Sequence, residues 1–87
     1  MVSKKLTIVN AQGFHMRPAS QFATAMGKYA CNVTLAVNGN TINAKSLMNI
    51  IAACIKCGHE VEIICDGPDE ADALKEASDM IESGFGE

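Results

Sequence analysis

The sequence has no tryptophan, one tyrosine and three phenylalanines among its 87 residues, and only two prolines. With so few aromatics and no basic cluster interleaved with them, nothing in the chain suggests nucleic-acid binding. No apolar run approaches the ~20 residues of a membrane span, and the opening MVSKKLTIVN lacks the apolar core of a signal peptide, so a cytoplasmic protein without membrane insertion is expected. A Gly-rich nucleotide loop is also missing, and no cofactor or metal is expected. What remains is an ordinary globular composition, 48% hydrophobic and 20% charged, without repeats, low-complexity segments or linkers. One domain over residues 1–87 is expected, small enough that a large enclosed cavity is not.

One further absence is local. Residues 1–59 contain six of the seven basic residues and no aspartate or glutamate, whereas all ten acidic residues follow, with Lys75 alone opposing them. The acidic residues suit the exposed faces of a strand and a helix, with Asp69, Glu70 and Asp72 near a helix N-terminus. An acid-free first part suits anionic ligands or acidic partner proteins. The four cysteines, Cys31, Cys54, Cys57 and Cys65, make a poor disulfide framework in a reducing compartment, and most of them read as small buried hydrophobes.

Hydrophobic periodicity sets the elements. Lys5–Ile8 reads as a first strand, followed by a loop from Asn10 to Gly13. Ala19, Phe22, Ala23 and Met26 form one face of a helix from Met16 to about Gly27. Val33, Leu35 and Val37 alternate with Thr34 and Ala36, and Asn38-Gly39 supplies a type I′ turn into Thr41–Asn43, giving a hairpin. Ser46 caps a second helix with Leu47, Ile50, Ile51 and Cys54 on its apolar stripe, ending near Gly58. Glu60–Cys65 is the fourth strand, and a third helix carrying Ala73, Leu74, Ala77, Met80 and Ile81 ends at Gly84. The order β-α-β-β-α-β-α suits an α+β open-faced sandwich, three helices covering one face of a four-stranded antiparallel sheet. If strand four fills the gap between strands one and two, the strand order is 1-4-2-3.

The stretch Gly13-Phe14-His15-Met16-Arg17-Pro18-Ala19-Ser20 places an imidazole and a guanidinium where the first helix begins. Pro18 fits the first turn, where the N–H it lacks has no intrahelical partner. The free N–H groups and the dipole of a helix N-terminus favour a bound anion by roughly 0.3 to 1 kcal/mol, and up to ~2 when partly buried. That field, with the Arg17 cation, disfavours imidazolium, leaving His15 neutral and nucleophilic near neutral pH. A nucleophilic nitrogen, a guanidinium and a helix N-terminus are the parts needed to accept and hold a phosphoryl group. With no carboxylate in this part of the chain, hydrolysis and proton abstraction are poorly served.

The motif, together with Ala44-Lys45-Ser46-Leu47-Met48 and the element order, resembles the HPr family of histidine-containing phosphocarriers of the bacterial phosphoenolpyruvate-dependent sugar phosphotransferase system (PTS). The resemblance covers essentially the whole chain. It implies that His15 is phosphorylated on Nδ1 by enzyme I and passes the group to IIA domains of sugar permeases, with Arg17 neutralising phosphate charge. Such a protein is a carrier rather than an enzyme, and a monomer is expected. Docking would fall on Phe14, Met16, Ser20, Leu47, Met48 and Ile51, although Leu47 and Ile51 fit the core equally well.

For Ser46 the resemblance implies a second role beyond capping: regulatory phosphorylation by an HPr kinase/phosphorylase, linked through a catabolite control regulator to carbon catabolite repression. A phosphate there would add about −1.5 to −2 charges beside Leu47 and Met48. The ending Gly84-Phe85-Gly86-Glu87 resembles Gram-positive members. Met16 and Asn49 depart from the family pattern, at positions bearing on partner choice rather than on phosphotransfer. Two other readings are a carrier in a parallel regulatory phosphotransfer chain and a thiol or metal site at Cys54-x-x-Cys57 with His59. The latter is a weak signal, because zinc needs further ligands.

Overall fold

In the computed structural model, which describes residues 1–9, 13, 16–37 and 39–84, the two periodicities become four strands and three helices. In chain order these are β1 (Val2–Thr7), α1 (Met16–Gly27), β2 (Asn32–Val37), β3 (Asn40–Asn43), α2 (Leu47–Ala52), β4 (Glu60–Asp66) and α3 (Glu70–Glu82). The sheet order is β1-β4-β2-β3 and every neighbouring pair is antiparallel, as the connectivity requires.

Alternation fixes which face of the sheet is covered. Val33, Leu35 and Val37 of β2 and Val61, Ile63 and Cys65 of β4 are buried, while the residues between them are half-exposed. Phe22 and Met26 of α1, Ile50 of α2 and Ile81 of α3 close over that face in one continuous core. Each such side chain contributes about 1.5–3 kcal/mol by leaving water. The β2–β3 hairpin pairs Val37 with Asn40, and Gly39 sits at φ +80° as a type I′ turn demands; Asn38 lies outside the described residues.

The first strand runs from Val2 to Thr7 rather than from Lys5 to Ile8. Its backbone ladder pairs Val2 with Cys65 and Ser3 with Ile64, through side chains whose exposure left no apolar pattern to read. Ile8, just past the strand, is still buried, and its N–H donates to the His59 carbonyl at 2.9 Å while its own carbonyl accepts from Gly58 N–H at 2.9 Å.

The second helix is shorter than its expected end near Gly58. It stops at Ala52 because Cys54 turns into the left-handed region at φ +53°, the conformation usually given to a glycine after a helix, with its N–H donating to the Ile51 carbonyl at 3.2 Å. This corrects two assignments. Cys54 is exposed and not on the apolar stripe, and of the four cysteines only Cys31 and Cys65 are buried, Cys57 being exposed as well. His59 is half-buried, its Nδ1 accepting from the Lys56 N–H at 3.2 Å.

Candidate functional site

Phe14 and His15, and residues 10–12 before them, lie outside the described residues; the site is built from what flanks them. On one side stands Gly13, buried and at φ +64°. A Cβ on it would meet the Ile55 carbonyl oxygen at 2.5 Å and Lys56 Cα at 2.6 Å, so the chain entering α1 is pressed directly on the backbone between α2 and β4. That α2–β4 connection runs alongside the β1–α1 connection: Gly58 and His59 bond to Ile8, and the Cys57 thiol approaches the Val9 carbonyl at 3.9 Å. Glycine 13 therefore serves close backbone approach as well as a turn, a contact invisible to periodicity because Ile55 and Lys56 are distant in sequence.

On the other side α1 begins at Met16. Its first turn has no acidic residue, and Pro18 and Ala19 are buried while Met16, Arg17 and Ser20 are exposed. The guanidinium is thus carried in the first turn on the solvent side, where the positive end of the helix dipole favours an anion. Met16 and Ser20, four residues apart, share that outer face. Acid is absent from this part of the sequence but not from the whole neighbourhood of the sheet end. Exposed Glu60 pairs with Thr7, where β1 gives way to the chain leading to Gly13.

The structure places the remaining candidates on α2, which packs against α1. Ser46 is the N-cap, at φ −106° and ψ 112°, with its Oγ accepting from the Asn49 N–H at 3.3 Å. The loop before it is fixed by the Lys45 N–H on Asn43 Oδ1 at 2.9 Å, and by the Lys45 ammonium on the Tyr29 carbonyl at 2.7 Å. Met48 is 75% exposed and Met16 63%, two large apolar side chains in water on neighbouring helices. Leu47 and Ile51 are half-buried and pack against the core. Among the described residues no group of three or more His, Cys, Asp or Glu side chains is arranged to hold a metal. No helix is long and apolar enough to cross a membrane among the same residues.

The family model described as PTS HPr component phosphorylation site matches residues 2–83. The phosphocarrier protein HPr of Treponema pallidum is 33% identical over 87 residues, covering 100% of this chain and 99% of the relative. The HPr crystal structure from Thermoanaerobacter tengcongensis superposes with a TM-score of 0.97 at 34% identity, covering 100% of this chain and 98% of that one. Crh, the catabolite repression HPr of Bacillus subtilis, gives 0.69 at 30% identity, covering 92% and 95%. A helix that opens on Met16-Arg17-Pro18 directly after a histidine, in this sheet order and with these relatives along its whole length, leaves one assignment: the chain belongs to the HPr family, the phosphocarrier proteins of the PTS.

Proposed function

We propose that His15 is the residue that accepts the phosphoryl group from phospho-enzyme I and donates it to IIA domains of sugar permeases, with residues 1–87 acting as one monomeric unit in the cytoplasm. The carrying observation is the start of α1, exposed, free of acidic residues in its first turn and bearing Arg17, immediately after His15 in the chain. Transfer between two proteins calls for positioning and charge stabilisation rather than new covalent machinery. Arg17 offsets the charge of the transferring group, and Met16, Ser20, Met48 and the outer edges of Leu47 and Ile51 form the docking face with Phe14.

Incubation with enzyme I, phosphoenolpyruvate and Mg²⁺ should add one acid-labile, base-stable phosphoryl group by intact mass, and none to His15→Ala. Phosphate retained by that variant would overturn the reading. Arg17→Ala should fold normally and accept phosphate at least tenfold more slowly, in line with a charge-assisted contact of about 1.5–3 kcal/mol.

Ser46 is proposed as a regulatory phosphorylation site for an ATP-dependent HPr kinase/phosphorylase, the modified protein then serving a catabolite control regulator. The similarity to Crh and the place of Ser46 beside exposed Met48 support this. A phosphate there sits on the proposed docking face, so Ser46→Asp should lower the rate of phosphorylation by enzyme I while leaving the melting temperature nearly unchanged.

A further inference from the structure

At the end of the sheet where Val2 pairs with Cys65, opposite the Thr7–Glu60 end, two of the four cysteines come together. Cys31 immediately precedes β2 and is 1% exposed; Cys65, in the last turn of side chains on β4, is 0% exposed. The register pairs Asn32 with Asp66 and Val33 with Cys65, which sets Cys31, the residue just before β2, one diagonal step from Cys65 on the neighbouring strand and on the same buried face. The approach is made tighter by Gly67. A Cβ on that residue would stand 2.5 Å from Cys31 Cα and 2.6 Å from Cys31 Cβ, so the absence of a side chain lets Cys31 lean in against the exit of β4.

Both thiols are free and buried; burial first, and then the neighbouring Cys31, push that of Cys65 up to about 11. Asp69 fixes the outer side of the pair. Its Oδ1 accepts from the Cys31 N–H at 2.9 Å and its Oδ2 from the Ala30 N–H at 2.8 Å, leaving the position normally used to cap α3 without a side-chain cap bond. Cys31 is thereby held in place beside the exit of β4.

We propose that Cys31 and Cys65 are a latent disulfide pair, closed by thiol–disulfide exchange with a small-molecule disulfide of the glutathione class. One protein thiolate attacks a sulfur of the small disulfide and expels one small thiolate, leaving a mixed disulfide. The second protein thiolate attacks the protein sulfur of that mixed disulfide and expels the other. Two protein S–H bonds and one S–S bond are lost, one protein S–S bond and two small-molecule S–H bonds are gained, and the two electrons pass from the cysteines to the oxidant. Because both thiols are buried, closure needs a local opening of the 29–31 segment and is slow. Once formed, the bond is shielded from reductants by the same burial.

The test separates access from geometry. The full chain bearing Cys54→Ser and Cys57→Ser is unfolded in urea, then held in a glutathione redox buffer either in urea or after dilution into native buffer, acid-quenched and mapped by mass. The expected result is a loss of two hydrogens with a Cys31–Cys65 linked peptide, its fraction at least tenfold greater in native buffer than in urea, and a higher melting temperature for the oxidised protein. A linked fraction no greater in native buffer than in urea would overturn the proposal, as would a lower melting temperature after oxidation, which would mean that the fold does not accommodate the bond.

Discussion

Replacing Gly13 by alanine perturbs a single atom at the contact that ties the chain entering α1 to the α2–β4 connection. Two costs are calculable. At φ +64° an alanine gives up about 1–2 kcal/mol relative to a right-handed or extended conformation. The added Cβ also meets the Ile55 carbonyl oxygen at 2.5 Å, Lys56 Cα at 2.6 Å and Lys56 carbonyl carbon at 2.9 Å, all backbone atoms that no rotamer change can move aside. Overpacking of that kind costs about 1–3 kcal/mol, for a total of about 2–5 kcal/mol. Gly39 supplies the control: it is at φ +80° but a Cβ there has nothing within 4 Å, so Gly39→Ala should lose only the conformational part. In urea, with a denaturant slope of about 1 kcal/mol per molar for a chain this small, Gly13→Ala should move the midpoint by about 2–5 M and Gly39→Ala by about 1–2 M. Equal midpoint shifts would show that the backbone contact at Gly13 contributes nothing and refute the account of this glycine. Phosphorylation by enzyme I, measured on the folded fraction, should fall in Gly13→Ala alone, because the displaced backbone lies two residues before His15.

Other substitutions test the local bonds. Ser46→Ala removes the Oγ acceptor of the Asn49 N–H and should lower stability by about 0.5–2 kcal/mol in denaturant melts, whereas Ser46→Asp, which keeps a capping oxygen, should lose far less. Asp69 accepts the Ala30 and Cys31 N–H groups, which hold its carboxyl below the ordinary 3.8. Its contribution is therefore present above pH 3.8 and is lost as the pH falls through the lowered folded value, so melting curves of wild type and Asp69→Ala should differ at pH 7 and converge in strong acid. The Tyr29 hydroxyl donates to Glu76, which with burial raises the phenol to about 12; ultraviolet titration should place it there, and Glu76→Gln should return it towards 10.

The parts of the fold that were legible in the sequence are those in which side chains repeat with the period of the backbone. Val33, Leu35 and Val37 announce β2, Asn38-Gly39 announces the turn, and the Ala19, Phe22, Ala23 and Met26 face gives α1 its full length. The candidate site was legible for a different reason. His15, Arg17 and Pro18 are chemically specific and adjacent in the chain, so their juxtaposition needed no knowledge of packing. What escaped were features made by the backbone or by distant partners. The start of β1 at Val2 is a ladder of main-chain bonds beneath exposed side chains. The end of α2 depends on a cysteine accepting a positive φ while a glycine, the expected stop, stands four residues further on. Asp69 read only as an acidic residue near a helix N-terminus, yet its carboxylate reaches back across the chain to Ala30 and Cys31.

The sheet order has a consequence for how the molecule comes into being. β4 is the last strand to be synthesised and lies between β1 and β2, so until Glu60–Asp66 exists the first strand has no neighbour and only the hairpin of residues 32–43 can form a ladder. The pairing of Val2 with Cys65 closes a loop spanning most of the chain, a non-local contact of the kind that slows folding. On the ribosome, therefore, the segment carrying His15 emerges long before the strand that anchors the approach to it. The sheet that positions this segment is therefore completed only once residues 60–66 have been made.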